Sequence, residues 1–209
     1  MSGNAYERQL YVGPFTGTDG TRSSGRASRT GEQVFSQIHG DYYDASSRGK
    51  IFMANAIVTA PVIWTTEAGT GGPLLWNNSS SVVASILAVG FGVSVVSTVA
   101  GGLGITQGYG QTDAPTSTTA IDNTICMNGT STASAVTAYR VGTTGTNRSF
   151  FPLVSVYTGA LTVDVTNSHW VWLNGLITIP YQGFAAVAAS ATLSTLVVNC
   201  AIIWEEVPV

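Results

Sequence analysis

From Ile51 onward the chain follows the two-residue rhythm of half-buried strands. "LTVDVTN" sets Leu161, Val163 and Val165 on one face and Thr162, Asp164 and Thr166 on the other. The same reading predicts strands at Ala56–Trp64, Ser81–Ala88, Gly92–Val99, Ala133–Val141, Phe150–Tyr157, Leu161–Val165, His169–Leu173, Leu176–Ile179, Phe184–Ala189 and Leu196–Glu205. Turn clusters separate them: "GTGGP" at 69–73, "NNSSS" at 77–81, "GTTGTN" at 142–147. Asn174-Gly175, set between apolar runs, predicts a hairpin. "FAAVAASATL" carries helix-favouring alanine, but Ser and Thr follow it and a terminal hairpin completes a sheet, so it is read as a strand. Short strands at this spacing define an all-β chain, a β-sandwich of jelly-roll type.

Residues 1–50 follow neither period. "GPFTGTDGTRSSGRASRTG", residues 13–31, sets Arg22, Arg26 and Arg29 among Gly and Ser and holds too little apolar surface to fold alone. It is read as an extended arm. In "EQVFSQIHGDYYDASSRGKIF" the apolar spacing is mixed, and periodicity does not choose between a short helix and an edge strand. The division expected is an arm and connector over 1–54 and a sandwich body over 55–209.

One run imitates a membrane span. Ser79 to Gln107 holds no charged residue and exceeds the roughly 20 residues that a spanning helix needs. Five glycines interrupt it, Val and Ile dominate it, and no basic residue flanks it. Two strands joined at a glycine bend are expected instead, and no membrane association.

Composition sharpens this picture. Charged residues make up 9% of the 209, against roughly 25% in an average soluble protein. Residues 1–50 hold six of the eight Lys and Arg and five of the eleven acids, a net of +1; the remainder carries −4. Faces this poor in charge are expected to be covered by a partner or by copies of the same chain. Direct nucleic-acid binding, which needs clustered cations, is not expected. The N-terminus, MSGNAYERQLYVG, lacks a basic-then-apolar signal pattern, so secretion by the usual route is not expected. Cys126 and Cys200 are read as two buried free thiols, with a disulfide as the alternative.

Candidate chemistry is sparse. His39 and His169 have no second His or Cys at ligand spacing, which argues against zinc. His39, Asp41 and Asp44 in "HGDYYD" could form a metal or catalytic pair, but a polar attachment segment is the preferred reading. His169, at a strand start, is read as a satisfied core or rim histidine. Glu205 and Glu206 point to opposite sides of a strand and cannot share one glycosidic bond; one should face inward, toward Arg140 or Arg148. "GFGVS" and "GGLG" lack a dinucleotide fingerprint, and no nucleophile elbow or phosphate loop occurs. Trp64, Trp76, Trp170, Trp172 and Trp204 are expected in core and interface packing. No catalytic, metal or cofactor residue is assigned.

The segment "RTGEQVFSQIHGDYYDASSRGKIFMANA" resembles one found in small virion proteins of tailed bacteriophages, through Arg29, Gly31, His39, Gly40, Tyr42, Tyr43, Ala45, Arg48, Gly49 and Phe52. The terminal Trp204-Glu205-Glu206-Val207 resembles the W-E-E-hydrophobic ending of the same group. The resemblance implies a capsid decoration (cement) or minor head protein with a jelly-roll body. Such a protein assembles in the host cytoplasm, sits on the outer capsid as a homotrimer and contacts the major capsid protein. Arg22, Arg26, Arg29, His39, Tyr42, Tyr43, Arg48, Trp204 and Glu205 are the expected capsid or subunit contacts. A receptor- or glycan-binding knob of a head or tail fibre, and a jelly-roll major coat protein, are the alternatives; an enzyme ranks last.

Overall fold

The computed structural model describes residues 42–61, 63–65, 70–97, 99–110, 115–121, 124–143, 148–156 and 168–209. The arm and the candidate strand Leu161–Val165 lie outside them. Among the described residues one short helix, α1 (Tyr43–Ser47), precedes eleven strands: β1 (Ile51–Thr59), β2 (Thr70–Asn77), β3 (Val82–Val95), β4 (Gly101–Gly108), β5 (Thr116–Ala120), β6 (Ile125–Cys126), β7 (Thr137–Thr143), β8 (Ser149–Val156), β9 (Ser168–Ile179), β10 (Gly183–Ala189) and β11 (Val197–Pro208). Alternation explains the strands that face solvent on one side. Along β11, Val198, Cys200, Ile202 and Trp204 are buried while Asn199 between them is exposed.

The strands form two antiparallel sheets, in the orders β6-β1-β11-β3-β9 and β5-β7-β2-β10-β4-β8. Setting β5–β7 aside, β1 pairs β11, β2 pairs β10, β3 pairs β9 and β4 pairs β8. First with last, second with next-to-last, and alternate pairs in opposite sheets: this is the connectivity of a jelly roll, a long ribbon folded over on itself. The insertion between β4 and β8 lengthens both sheets, placing β6 beyond β1 and β7 and β5 beyond β2. The chain is an all-β sandwich.

The inward faces meet in one core, with Phe52, Ile86, Phe91, Leu103, Ile105, Ile177 and Trp204 among its largest members. Phe52 and Trp204, opposite one another on β1 and β11, stack with ring centroids 5.9 Å apart. A second cluster, Leu74, Trp76, Phe184 and Ala186, lies on the other face of the six-stranded sheet and is also buried. Asn77 ends β2 as a buried clamp, its amide donating to the Val82 and Ile179 carbonyls at 2.9 Å each.

Several elements depart from the sequence reading. The uncharged run is two strands, as expected, but the break falls at residues 96–100 and Gly90 and Gly92 sit inside a continuous β3. The Trp170 indole lies over Gly90: an added Cβ would stand 3.1 Å from three ring carbons, and the ring would have to give by a few tenths of an ångström. Among the described residues no helix is long and apolar enough to cross a membrane.

Asn174-Gly175 makes no hairpin. Both arms pair with the same 14-residue partner, β3, so the chain keeps its direction. Asn174 and Gly175 adopt positive φ, 47° and 84°, within a bulge. Between Trp172↔Ala88 and Ile177↔Ile86, four residues of β9 face one of β3; β9 keeps its odd positions inward, while β3 passes from Ala84 and Ile86 to Val89 and Phe91. Strand β2 runs through the predicted turn at 69–73, and the body starts earlier than residue 55, since Ile51–Ala54 are already paired with β11.

Candidate functional site

Two regions of the described chain concentrate polar or aromatic side chains. The first is a joint where the chain enters the sandwich. Helix α1 closes with Gly49 at φ 69°, the Gly49 amide donating to the Ser46 carbonyl and the Lys50 amide to the Ala45 carbonyl, both at 2.9 Å. That is the Schellman closure, whose left-handed position suits glycine. A Cβ at Gly49 would also stand 3.2 Å from both Asn128 Nδ2 and Thr132 Oγ1.

From there Ile51 enters β1 and accepts from the Met127 amide at 2.9 Å, while the Glu206 amide donates to the Lys50 carbonyl at 2.8 Å. Asn128 Oδ1 accepts the Cys126 thiol, the Thr130 amide and the Thr130 hydroxyl. Glu206, 5% exposed, accepts the Ser134 hydroxyl and, at 3.1 Å, the Val136 amide. It ties the end of β11 to the segment leading into β7.

The segment carrying the resemblance and the terminal "WEEV", about 150 residues apart in sequence, thus become neighbouring strands, with Ile51 opposite Glu205 and Phe52 opposite Trp204. Among the expected contact residues, Tyr43 and Arg48 are exposed, and Tyr42 and Glu205 are half-buried. Trp204 is different. It is fully buried against Phe52, so its part is core packing and not contact with another chain. Arg22, Arg26, Arg29, His39 and Asp41 lie outside the described residues, as does the Asp44 side chain.

The inward carboxylate expected at the C-terminus is Glu206, but the groups it meets are a hydroxyl and a backbone amide. Arg148 instead donates to the Trp64 carbonyl at 3.1 Å, and Arg140 is exposed. Of the core and rim positions expected for His169 the structure shows the rim: it is exposed on β9, the last strand of its sheet among the described residues.

The second region is a trough on the outer face of the five-stranded sheet. Register aligns three cross-strand rows over β1, β11, β3 and β9: Met53–Ile203–Ala88–Trp172, Asn55–Ala201–Gly90–Trp170 and Ile57–Asn199–Gly92–Ser168. Three strand spacings put β1 and β9 roughly 14 Å apart. Ala201, Gly90 and Gly92 carry almost no side chain, so the middle of the sheet is low and its sides are high. The resulting cavity holds about 280 Å³ and is lined by Met53, Asn55, Asn199, Ser168 and Trp170 around that floor. Trp170 is 48% exposed and Trp172 61%. The sequence reading places both in core or interface packing; the structure puts neither in the core, and the Trp170 ring rests over Gly90 on the outer face.

Both cysteines are free and buried, as expected. Cys126 lies opposite Phe52 and Cys200 opposite Ala56, four residues apart along β1, about 13 Å, which is too far for a disulfide. Burial pushes the Cys200 thiol up from 9.0 to about 12, so it is a packing group rather than a nucleophile. Among the described residues no three His, Cys, Asp or Glu side chains gather to hold a metal. No family model, curated protein or solved structure matches this chain.

Proposed function

We propose that this chain is a structural virion protein, a decoration protein that binds the outer capsid of a tailed bacteriophage and stabilises it, its partners being the major capsid protein and two further copies of itself. The observation that supports the reading is the joint. The two segments that carry the resemblance meet on β1 and β11, so they belong to one structural unit that leads an arm into a jelly roll. Arg22, Arg26 and Arg29 in that segment outnumber the two cations of the body, Arg140 and Arg148. Many weak contacts repeated around a symmetric oligomer bind a capsid by avidity without a single strong site. Covering charge-poor faces in a closed assembly follows the same logic. The reading involves neither direct nucleic-acid nor membrane binding.

The test is deletion of residues 1–31, with the intact and truncated proteins each incubated with capsids that lack decoration. The truncated chain should remain soluble and trimeric and bind capsids at least ten-fold more weakly. Equal binding by the two proteins refutes a fastening role for the arm. Closed shells formed by the isolated intact chain would instead identify a major coat protein.

A further inference from the structure

We propose that the trough beside Trp170 is a binding site for a neutral saccharide. This goes beyond the virion reading and does not rest on it.

The lining carries the inference. Among the described residues no charged side chain borders the cavity, so a phosphate, a carboxylate or a basic peptide would find no counter-charge from them. What borders it is one indole, two carboxamides and a hydroxyl: Trp170, Asn55, Asn199 and Ser168. The three polar side chains are exposed and join in none of the side-chain hydrogen bonds among the described residues. A carboxamide offers both a donor and an acceptor, and a hydroxyl does the same. That is the complement of a sugar hydroxyl, which also gives and takes. An indole suits the other half of a sugar: the C–H bonds on one side of a pyranose form a weakly positive apolar face, which packs against the negative face of an aromatic ring.

Position matters as much as composition. The Trp170 ring lies against Gly90, so its orientation is set by the sheet beneath it. Asn55 stands at the other end of the same row and Asn199 and Ser168 lie in the next. An occupant resting on Ala201 and Gly92, beside the indole that covers Gly90, therefore meets the ring from one side and amides from the other. The cavity, about 280 Å³, lies near the low end of the roughly 300–1,000 Å³ common for ligand sites. It suits a short glycan or one end of a longer one.

Gly92 supplies a clean way to close the site. A Cβ there would have nothing nearer than 3.9 Å, so a larger side chain can stand in the trough without disturbing the backbone. The test uses the intact purified protein and follows tryptophan emission during titration with maltohexaose, cellohexaose and chitohexaose. At least one should shift the emission saturably. Trp170→Ala and Gly92→Leu should each weaken that binding at least ten-fold, while Trp172→Ala, outside the lining, changes it less than two-fold. Isothermal calorimetry repeats the comparison without relying on the fluorescence of the residue removed. Failure of all three sugars to bind overturns the proposal, as does unchanged affinity in Gly92→Leu. Sedimentation separates the remaining case: if Gly92→Leu turns an oligomer into monomers and no sugar binds, the trough is a subunit interface and the saccharide assignment is wrong.

Discussion

The joint and the trough use the same kinds of residue to opposite ends. At the joint, Asn128 and Glu206 turn their oxygens toward neighbouring hydroxyls, amides and a thiol, and the one large aromatic, Trp204, is sealed against Phe52. In the trough, Asn55, Asn199 and Ser168 face solvent and Trp170 shows about half its surface. Buried polar groups must be paired or they cost stability; exposed ones lose nothing by waiting. The joint therefore holds the fold together, and the trough is free to meet something else. Substitutions should divide the same way, with joint changes read as stability and trough changes as binding.

The largest effect is expected from the two tryptophans. Trp204→Ala removes a fully buried indole and should cost about 3–5 kcal/mol in urea denaturation. Trp204→Phe should cost less than half of that. It keeps the stack on Phe52 and also removes the indole N–H, which is buried without a hydrogen-bond acceptor. Trp172→Ala, on the open face, should change stability by no more than about 0.5 kcal/mol. Equal losses at Trp204 and Trp172 would break the comparison.

Glu206 comes next. Glu206→Ala leaves the Ser134 hydroxyl only the Val136 carbonyl, and the Val136 amide only the Ser134 oxygen, as acceptor, and should destabilise by about 1–2 kcal/mol. Glu206→Gln keeps an oxygen in place and should restore at least half of the loss. If Gln is as damaging as Ala, the negative charge matters and not the number of acceptors. Equilibrium unfolding at neutral pH decides between them.

How far the sequence discloses each region follows from the range of the interactions involved. Alternation is local, so "NCAIIWEE" and the all-β class could be read directly, and the alanine-rich β10 was placed correctly because a sheet had to be completed. Asn174-Gly175 misled because a hairpin signal says nothing about which partner each arm will choose, and β3 is long enough to take both. The strand β2 was hidden by glycines that look like a turn. At the joint, Glu206 was legible as an inward carboxylate, but its donors lie about 70 residues away in sequence and could not be named. The trough was the least visible. It exists only because register sets Asn55, Ala201, Gly90 and Trp170 in one row, and each comes from a different part of the chain.

The smallest effects should come from one substitution made at two glycines. Gly49 holds φ 69°, where a side chain strains the backbone, and a Cβ there would press on Asn128 and Thr132 at 3.2 Å. Gly49→Ala should therefore cost about 1–2 kcal/mol. Gly92 lies within a strand, with open space where its Cβ would go. An alanine there lowers the entropy of the unfolded chain without straining the folded one, so Gly92→Ala should be neutral or stabilising by up to about 1 kcal/mol. Thermal unfolding of the two variants should shift in opposite directions, or Gly49→Ala alone should shift. A comparable loss at both positions would mean that the outer face of β3 is packed as tightly as the joint, and that the trough is filled by the protein itself.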